Sequence, residues 1–271
     1  MKGLSILVLL LLAGRAGAFA QTFNHAALDT VLSAHAAASG VRYAALQKDR
    51  ARLDGYVTRV GAVPAADLER WPRAEQIAFL INAYNALVLQ TVIDHYPIKR
   101  SLHPAGLLKP ANSVWQIPGI FSDRKHRVAG GELTLDDIEH KWLRERLKEP
   151  RIHFALVCAA QSCPPLRNEA YVAERLDAQL DDQARRFLGD RSKNQLDVRK
   201  GEARLSEILK WFAVDFERFA ADSRFAGDAS ARGVLGFIAR YVDPPTATWL
   251  QQGKLAVRYI DYDWTLNDAG R

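Results

Sequence analysis

Seven side chains in this sequence have the types and spacing to do chemistry: Cys158, Cys163, His140, His153, Glu139, Asn82 and Asn85. The two cysteines are the only ones in the chain. A thiol with its ordinary pKa of about 8.5 is only partly ionised at neutral pH, so a cysteine nucleophile needs a base or a cation beside it. His140 or His153 can serve as that base, with Glu139 or Asp136 orienting the ring, as in cysteine hydrolases. Either thiol can be the nucleophile. The alternative is a local disulfide, since two nearby cysteines in an oxidising compartment often pair. Such a bond closes so short a loop that it adds little through chain entropy. The spacing His153-x4-Cys158-x4-Cys163 is not that of a zinc ribbon or finger, and it is too long for Cys-x-x-Cys redox chemistry. No metal or cofactor is expected.

The elements that must position these groups follow from the hydrophobic pattern. A helix over about Arg73–Tyr96 carries Ile77, Leu80, Ile81, Tyr84, Leu87, Val88 and Val92 on one stripe, with Phe79, Ala83, Ala86 and Leu89 making its other sides apolar. That pattern predicts a central buried helix. Asn82 and Asn85 lie within it. A buried amide without partners costs on the order of 1–3 kcal/mol. Each must therefore either hold a neighbouring loop's backbone or bind substrate, for instance as a donor to an oxyanion.

Thr134 reads as the cap of a helix through Leu147, with Glu139 and His140 on the flank of its Ile138/Trp142 stripe. Ile152–Cys158 alternates and predicts a buried strand, which would send His153 and Cys158 to opposite faces and leave Cys158 at the strand's carboxyl end. Upstream, two helices separated at Gly40 span Phe23–Val60. The proline-rich stretch 97–131 suggests loops with short strands at Ser113–Ile117 and His126–Val128. Downstream come a helix over Asn168–Leu188, a hairpin over Asn194–Ser206, a helix from Ser206 to Phe219, another over Ser230–Val242 and a final strand over Lys254–Asp261. The expectation is an α+β fold: one helix-dominated domain over residues 21–271 with a small, mostly antiparallel sheet.

Four blocks carry a resemblance: Ala78-Phe-Leu-Ile-Asn-Ala-Tyr-Asn85, Leu133-Thr-Leu-Asp-Asp-Ile-Glu-His140, Pro150-Arg-Ile-His-Phe-Ala-Leu-Val-Cys-Ala-Ala-Gln-Ser-Cys-Pro-Pro165 and Tyr262-Asp-Trp-Thr-Leu-Asn267. In order and spacing the chain resembles the domain of unknown function 547 family. The resemblance implies a Cys-Glu-His hydrolase-like site. It places Glu139 and His140 in one block and Cys158 in the next, with Cys163 and His153 in reserve. It also implies a papain-like or transglutaminase-like relationship and a small amide or thiol-containing peptide, such as glutathione, as substrate. Where the family pattern leads one to expect Asn-Cys-Gly-Ala, this chain reads Val157-Cys158-Ala159-Ala160.

Of the 271 residues 48% are apolar and 25% charged, so a packed core needs no staples. The net charge of +6 is mild, with basic and acidic residues interspersed and no basic stripe among aromatics. That argues against nucleic acid and supports only a weak preference for anionic small molecules or surfaces; the expected partner is a small-molecule or peptide ligand. The first twenty residues pair a cationic start at Lys2 with an apolar run over Ile6–Leu12 and small residues at Ala18 and Ala20, the pattern of a secretory signal peptide. The expected product is secreted or periplasmic and has no membrane span once the signal is removed. N-terminal sequencing of the exported protein is expected to begin at Gln21; a first residue of Met1 would refute cleavage.

Overall fold

The computed structural model describes residues 23–102, 104–220, 225 and 227–270. The expected signal segment 1–20 and its expected cleavage point lie outside the described residues. The chain begins with α1 (Ala26–His35), a short antiparallel pair β1 (Ala36–Ala37) and β2 (Gly40–Val41), then α2 (Tyr43–Lys48), α3 (Ala51–Ala62) and α4 (Ala65–Arg70). The expected first two helices are thus broken a second time, between Lys48 and Ala51. Gly40 has φ of 132°, and the Asn267 carbonyl lies where a Cβ would project, so glycine admits the C-terminal segment here.

The central helix is present as α5 (Arg73–Asp94), with Ile77 through Leu89 buried without interruption. It is long and apolar enough to cross a membrane, but nearly all of it is buried inside the protein. After α6 (Pro104–Leu107), a 3-10 turn at Val114–Gln116 replaces the strand expected over Ser113–Ile117. The reason is Gln116. Its buried amide donates to the carbonyls of Gly106 and Pro110 and accepts from the Ser101 amide, so the loop satisfies its own backbone without a partner strand. The hairpin β3 (His126–Val128) and β4 (Gly131–Leu133) follows.

Thr134 caps the next helix as expected: its hydroxyl accepts from the Asp137 amide, and the Asp137 carboxylate accepts from the Thr134 amide. The helix, however, is a π-helix over Asp137–Arg146, closing with Leu147 N–H on the Trp142 carbonyl. Such wide turns are frequent at functional sites.

Ile152–Cys158 is not a strand. Pro150–Phe154 forms a 3-10 turn, and the chain then runs irregularly to the cysteines. Glu149 caps the turn, and the Arg151 guanidinium forks onto Glu149 while reaching Asp177 and Asp181. No neighbouring strand pairs with the segment. Instead the Asn85 amide donates to the Ala155 carbonyl and accepts from the Val157 N–H. Alternation therefore does not apply, and His153 and Cys158 are free to share a cavity. Ala159 sits at φ of 64°, at the position where the family pattern leads one to expect glycine; the left-handed backbone costs alanine about 1 kcal/mol.

The rest comprises α7 (Leu176–Gly189), the hairpin β5 (Gln195–Asp197) and β6 (Glu202–Ser206), α8 (Glu207–Trp211), a 3-10 turn Ala213–Phe219, α9 (Ala229–Ile238) and α10 (Pro244–Gln251). Strand β7 (Ala256–Ile260) then pairs in parallel with β6. The helix expected from Asn168 starts eight residues later, and α10, launched by Asp243 with Pro244 behind it, was not anticipated. The fold is a helix-dominated α+β arrangement with sheets of two or three strands.

Two apolar cores are present. One surrounds α5; the other gathers Phe154, Phe187, Phe216 and Phe237 beneath α9. Tyr262 packs against both, which marks the seam between them.

Asn85→Ala should cost about 3 kcal/mol, because it strands a buried carbonyl and a buried N–H together. Urea denaturation measures this, and a loss below about 1 kcal/mol would show that the segment is held by packing alone.

Candidate active site

A cavity of about 450 Å³ opens at that seam, with residues of the π-helix, the 150–163 segment, α8 and the C-terminal segment in its wall. Glu139, His140, His153, Cys158 and Cys163 all line it. The five residues named for catalysis from the sequence therefore meet in one place. Asn82 and Asn85 do not line it. Asn82 donates to the Tyr171 carbonyl and accepts from the Tyr171 N–H, as Asn85 does for Ala155 and Val157. Each amide holds backbone through one donated and one accepted hydrogen bond, the first of the two roles open to it from the sequence.

His153 is the most enclosed of the group, its side chain 1% exposed and stacked on Phe212 at 3.9 Å between centroids. Its Nε2 lies 2.7 Å from Asp215 Oδ2. Asp215 also receives Arg144 through Nε at 2.6 Å and Nη2 at 3.0 Å. Burial alone would raise the Asp215 pKa, but the bonds from His153 and Arg144 outweigh it and hold the carboxyl well below the usual carboxylate range. An ionised Asp215 accepts, so His153 carries its proton on Nε2. Its Nδ1 is left as a buried lone pair with no hydrogen-bond partner, 3.8 Å from Glu139 Oε1. Burial also lowers the His153 pKa against the pull of Asp215, so the ring is a neutral base.

His140 is placed differently. Its Nδ1 accepts from Arg144 Nη1 at 3.0 Å, and its Nε2 is 3.9 Å from Asp136. Burial and Arg144 lower its pKa. Its lone pair is already occupied, so the imidazole with a free basic nitrogen is His153.

The two sulfurs lie at the cavity wall as a disulfide, Cys158 half-buried and Cys163 buried. The Cys158 N–H donates to Cys163 Sγ at 3.0 Å. Tyr262 Oη is 3.3 Å from Cys158 Sγ and 3.2 Å from Cys163 Sγ. Burial, then the nearby Glu139, push the Tyr262 pKa upward, so its hydroxyl stays protonated and able to donate. Among the described residues no three His, Cys, Asp or Glu side chains gather to hold a metal ion.

The sequence reading missed Asp215, Tyr262, Trp211 and Trp264, which the fold brings to the same place. Asp215 is 62 residues from His153 and carries no local signal. Arg144 lies one helical turn from His140, a spacing that was open to inspection. The Tyr262-Asp-Trp264 block carries part of the resemblance, but nothing in its residue types indicates a place in the cavity wall.

Residues 68–188 match the family model described as "Protein of unknown function, DUF547". This segment belongs to the DUF547 family. No curated protein and no solved structure matches the chain. The DUF547 segment contains both cysteines, Glu139, His140 and His153, whereas Asp215, Trp211, Tyr262 and Trp264 lie beyond it. The cavity is thus completed by residues outside the matched segment.

Burial raises the Glu139 pKa from 4.5 to about 7, with Arg144 opposing the shift and Asp136 and Asp215 adding to it. An acid whose pKa is higher in the folded state binds its proton more tightly there than in the unfolded chain. Folding is therefore penalised progressively as pH rises from about 4.5 to about 7, and fully above that. Glu139→Gln removes the penalty. Its stability advantage over the natural protein should grow across this window to at most about 3 kcal/mol at pH 8, measured by urea denaturation at a series of pH values. A pH-independent difference would show that Glu139 ionises normally.

Proposed function

We propose that this protein is an exported thiol-dependent hydrolase or transferase acting on a small amide or peptide. The observation that carries the reading is the buried, unpartnered Nδ1 of His153, oriented through Asp215, in the same cavity wall as Cys158 and Glu139. The bonded pair is the resting form, in keeping with work outside the cytosol. Two equivalents of a small thiol convert it to two cysteine thiols and release that thiol's own disulfide. His153 Nδ1 then takes the Cys158 proton, and the thiolate adds to the substrate carbonyl carbon. Tyr262 Oη donates to the oxygen that becomes negative. The proton passes from His153 to the departing amine as the C–N bond breaks, leaving a thioester. Water or a second nucleophile resolves it and restores the thiol.

The disulfide itself favours a second reading, a non-catalytic binding module in which the bond is permanent. Thiol reactivity separates the two. Mass spectrometry after alkylation should find no label without reduction and two labels after it. In the reduced protein Cys158 should react at neutral pH about tenfold or more faster than an ordinary thiol, with His153→Asn and Asp215→Asn removing the acceleration. Cys158→Ala should abolish capture by a thiol-directed substrate analogue. A bond that yields only with unfolding, or a reduced Cys158 of ordinary reactivity, would leave the binding module.

A further inference from the structure

We propose that the cavity takes ligands carrying a protonated amine on an apolar body and discriminates against anionic ones, including acidic thiol peptides. This rests on the reading that the cavity is the substrate site, and it narrows the substrate class.

The charge in the cavity wall is one-sided. Asp123, Asp136 and Glu139 line it, whereas no lysine or arginine does among the described residues. The nearest guanidinium, Arg144, already serves Asp215 and His140. Facing Glu139 and Asp136 are the imidazoles of His153 at 3.8 Å and His140 at 3.9 Å, both with lowered pKa values, and the Tyr84 hydroxyl, which hydrogen-bonds Glu139. Arg144 draws on Glu139 from its place on Asp215, and a ligand cation would complete the balance of charge.

A second feature lies beside Glu139. His153 lines the cavity with its side chain 1% exposed, and its Nδ1 has no hydrogen-bond partner, an unmet acceptor that favours a ligand N–H donor at this wall.

The remaining wall is aromatic. Trp211 stacks on Trp264 at 5.8 Å, and Tyr262 lies 4.8 Å from the first and 4.4 Å from the second. Rings of this wall already attract cations that do not themselves line the cavity: Lys109 Nζ sits 4.7 Å from the Trp264 ring centre and 5.7 Å from that of Trp115, and the Arg144 guanidinium lies 5.0 Å from that of Phe212. Ring faces of this kind attract cations and repel anions. About 450 Å³ holds a molecule of dipeptide size, so a short peptide with a free amino group fits in volume and charge.

The test is isothermal titration of the disulfide-bonded protein at pH 8 with three ligands on one phenylpropyl framework: 3-phenylpropylamine, 3-phenylpropanamide and 3-phenylpropionate. The expected order of affinity is amine, then amide, then acid, with the amine ahead of the acid by about tenfold or more. Asp136→Asn should narrow that ratio about threefold or more, and Trp211→Leu should weaken all three ligands. Equal or tighter binding of the acid overturns the proposal, and so does failure of all three to bind. The bonded protein has no free thiol, so the ranking is read without catalysis. If the order holds while the reduced cysteines prove unreactive, the thiol chemistry falls and the amine site stands; if the cysteines react while the order fails, only this inference is lost.

Discussion

One carboxylate holds the site together. Asp215 lies in the 3-10 turn after α8, and its oxygens take hydrogen bonds from His153 in the 150–154 turn and from Arg144 in the π-helix. Three segments that do not adjoin in sequence are thereby fixed around one negative charge. The Arg144–Asp215 pair is half-buried and adds little net stability compared with apolar packing. Its effect is on geometry and protonation. It fixes the tautomer of His153 and, through Arg144, occupies the lone pair of His140.

The surroundings repeat the pattern of side chains doing what secondary structure usually does. The segment between Phe154 and Cys158 has no ladder; Asn85 supplies the partners that a neighbouring strand would have supplied. Asn82 does the same for Tyr171, and Gln116 for the proline-rich loop. Backbone released from regular pairing can bend, which brings the cysteines, Tyr262 and His153 to a common cavity. The π-helix contributes likewise, since a wider turn changes the direction of Glu139 and His140 relative to an α-helical continuation. Regular structure is given up where the site is built, and buried amides make up the lost hydrogen bonds.

The DUF547 match ends at residue 188, yet the cavity does not. The matched part supplies the cysteines, the glutamate and the two histidines; the later part supplies the carboxylate that orients His153 and the aromatic side chains that shape the space. The two stretches thus meet at the seam between two apolar cores among the described residues.

The sequence by itself determined what local physics controls. The apolar circumference of α5, the Thr134 and Ser206 caps and the β5–β6 hairpin all depend on neighbours within a few residues, and each appears where expected. It also singled out by type the five residues that meet in the cavity. Tertiary structure decided their relations. An alternating run such as Ile152–Cys158 becomes a strand only if another strand accepts its hydrogen bonds, and here Asn85, from a helix some 70 residues away, accepts and donates in its place. Whether an asparagine holds backbone or substrate, and which histidine keeps a free lone pair, depends on partners such as Asp215 that are distant in sequence. No local pattern encodes a partner that only folding brings near.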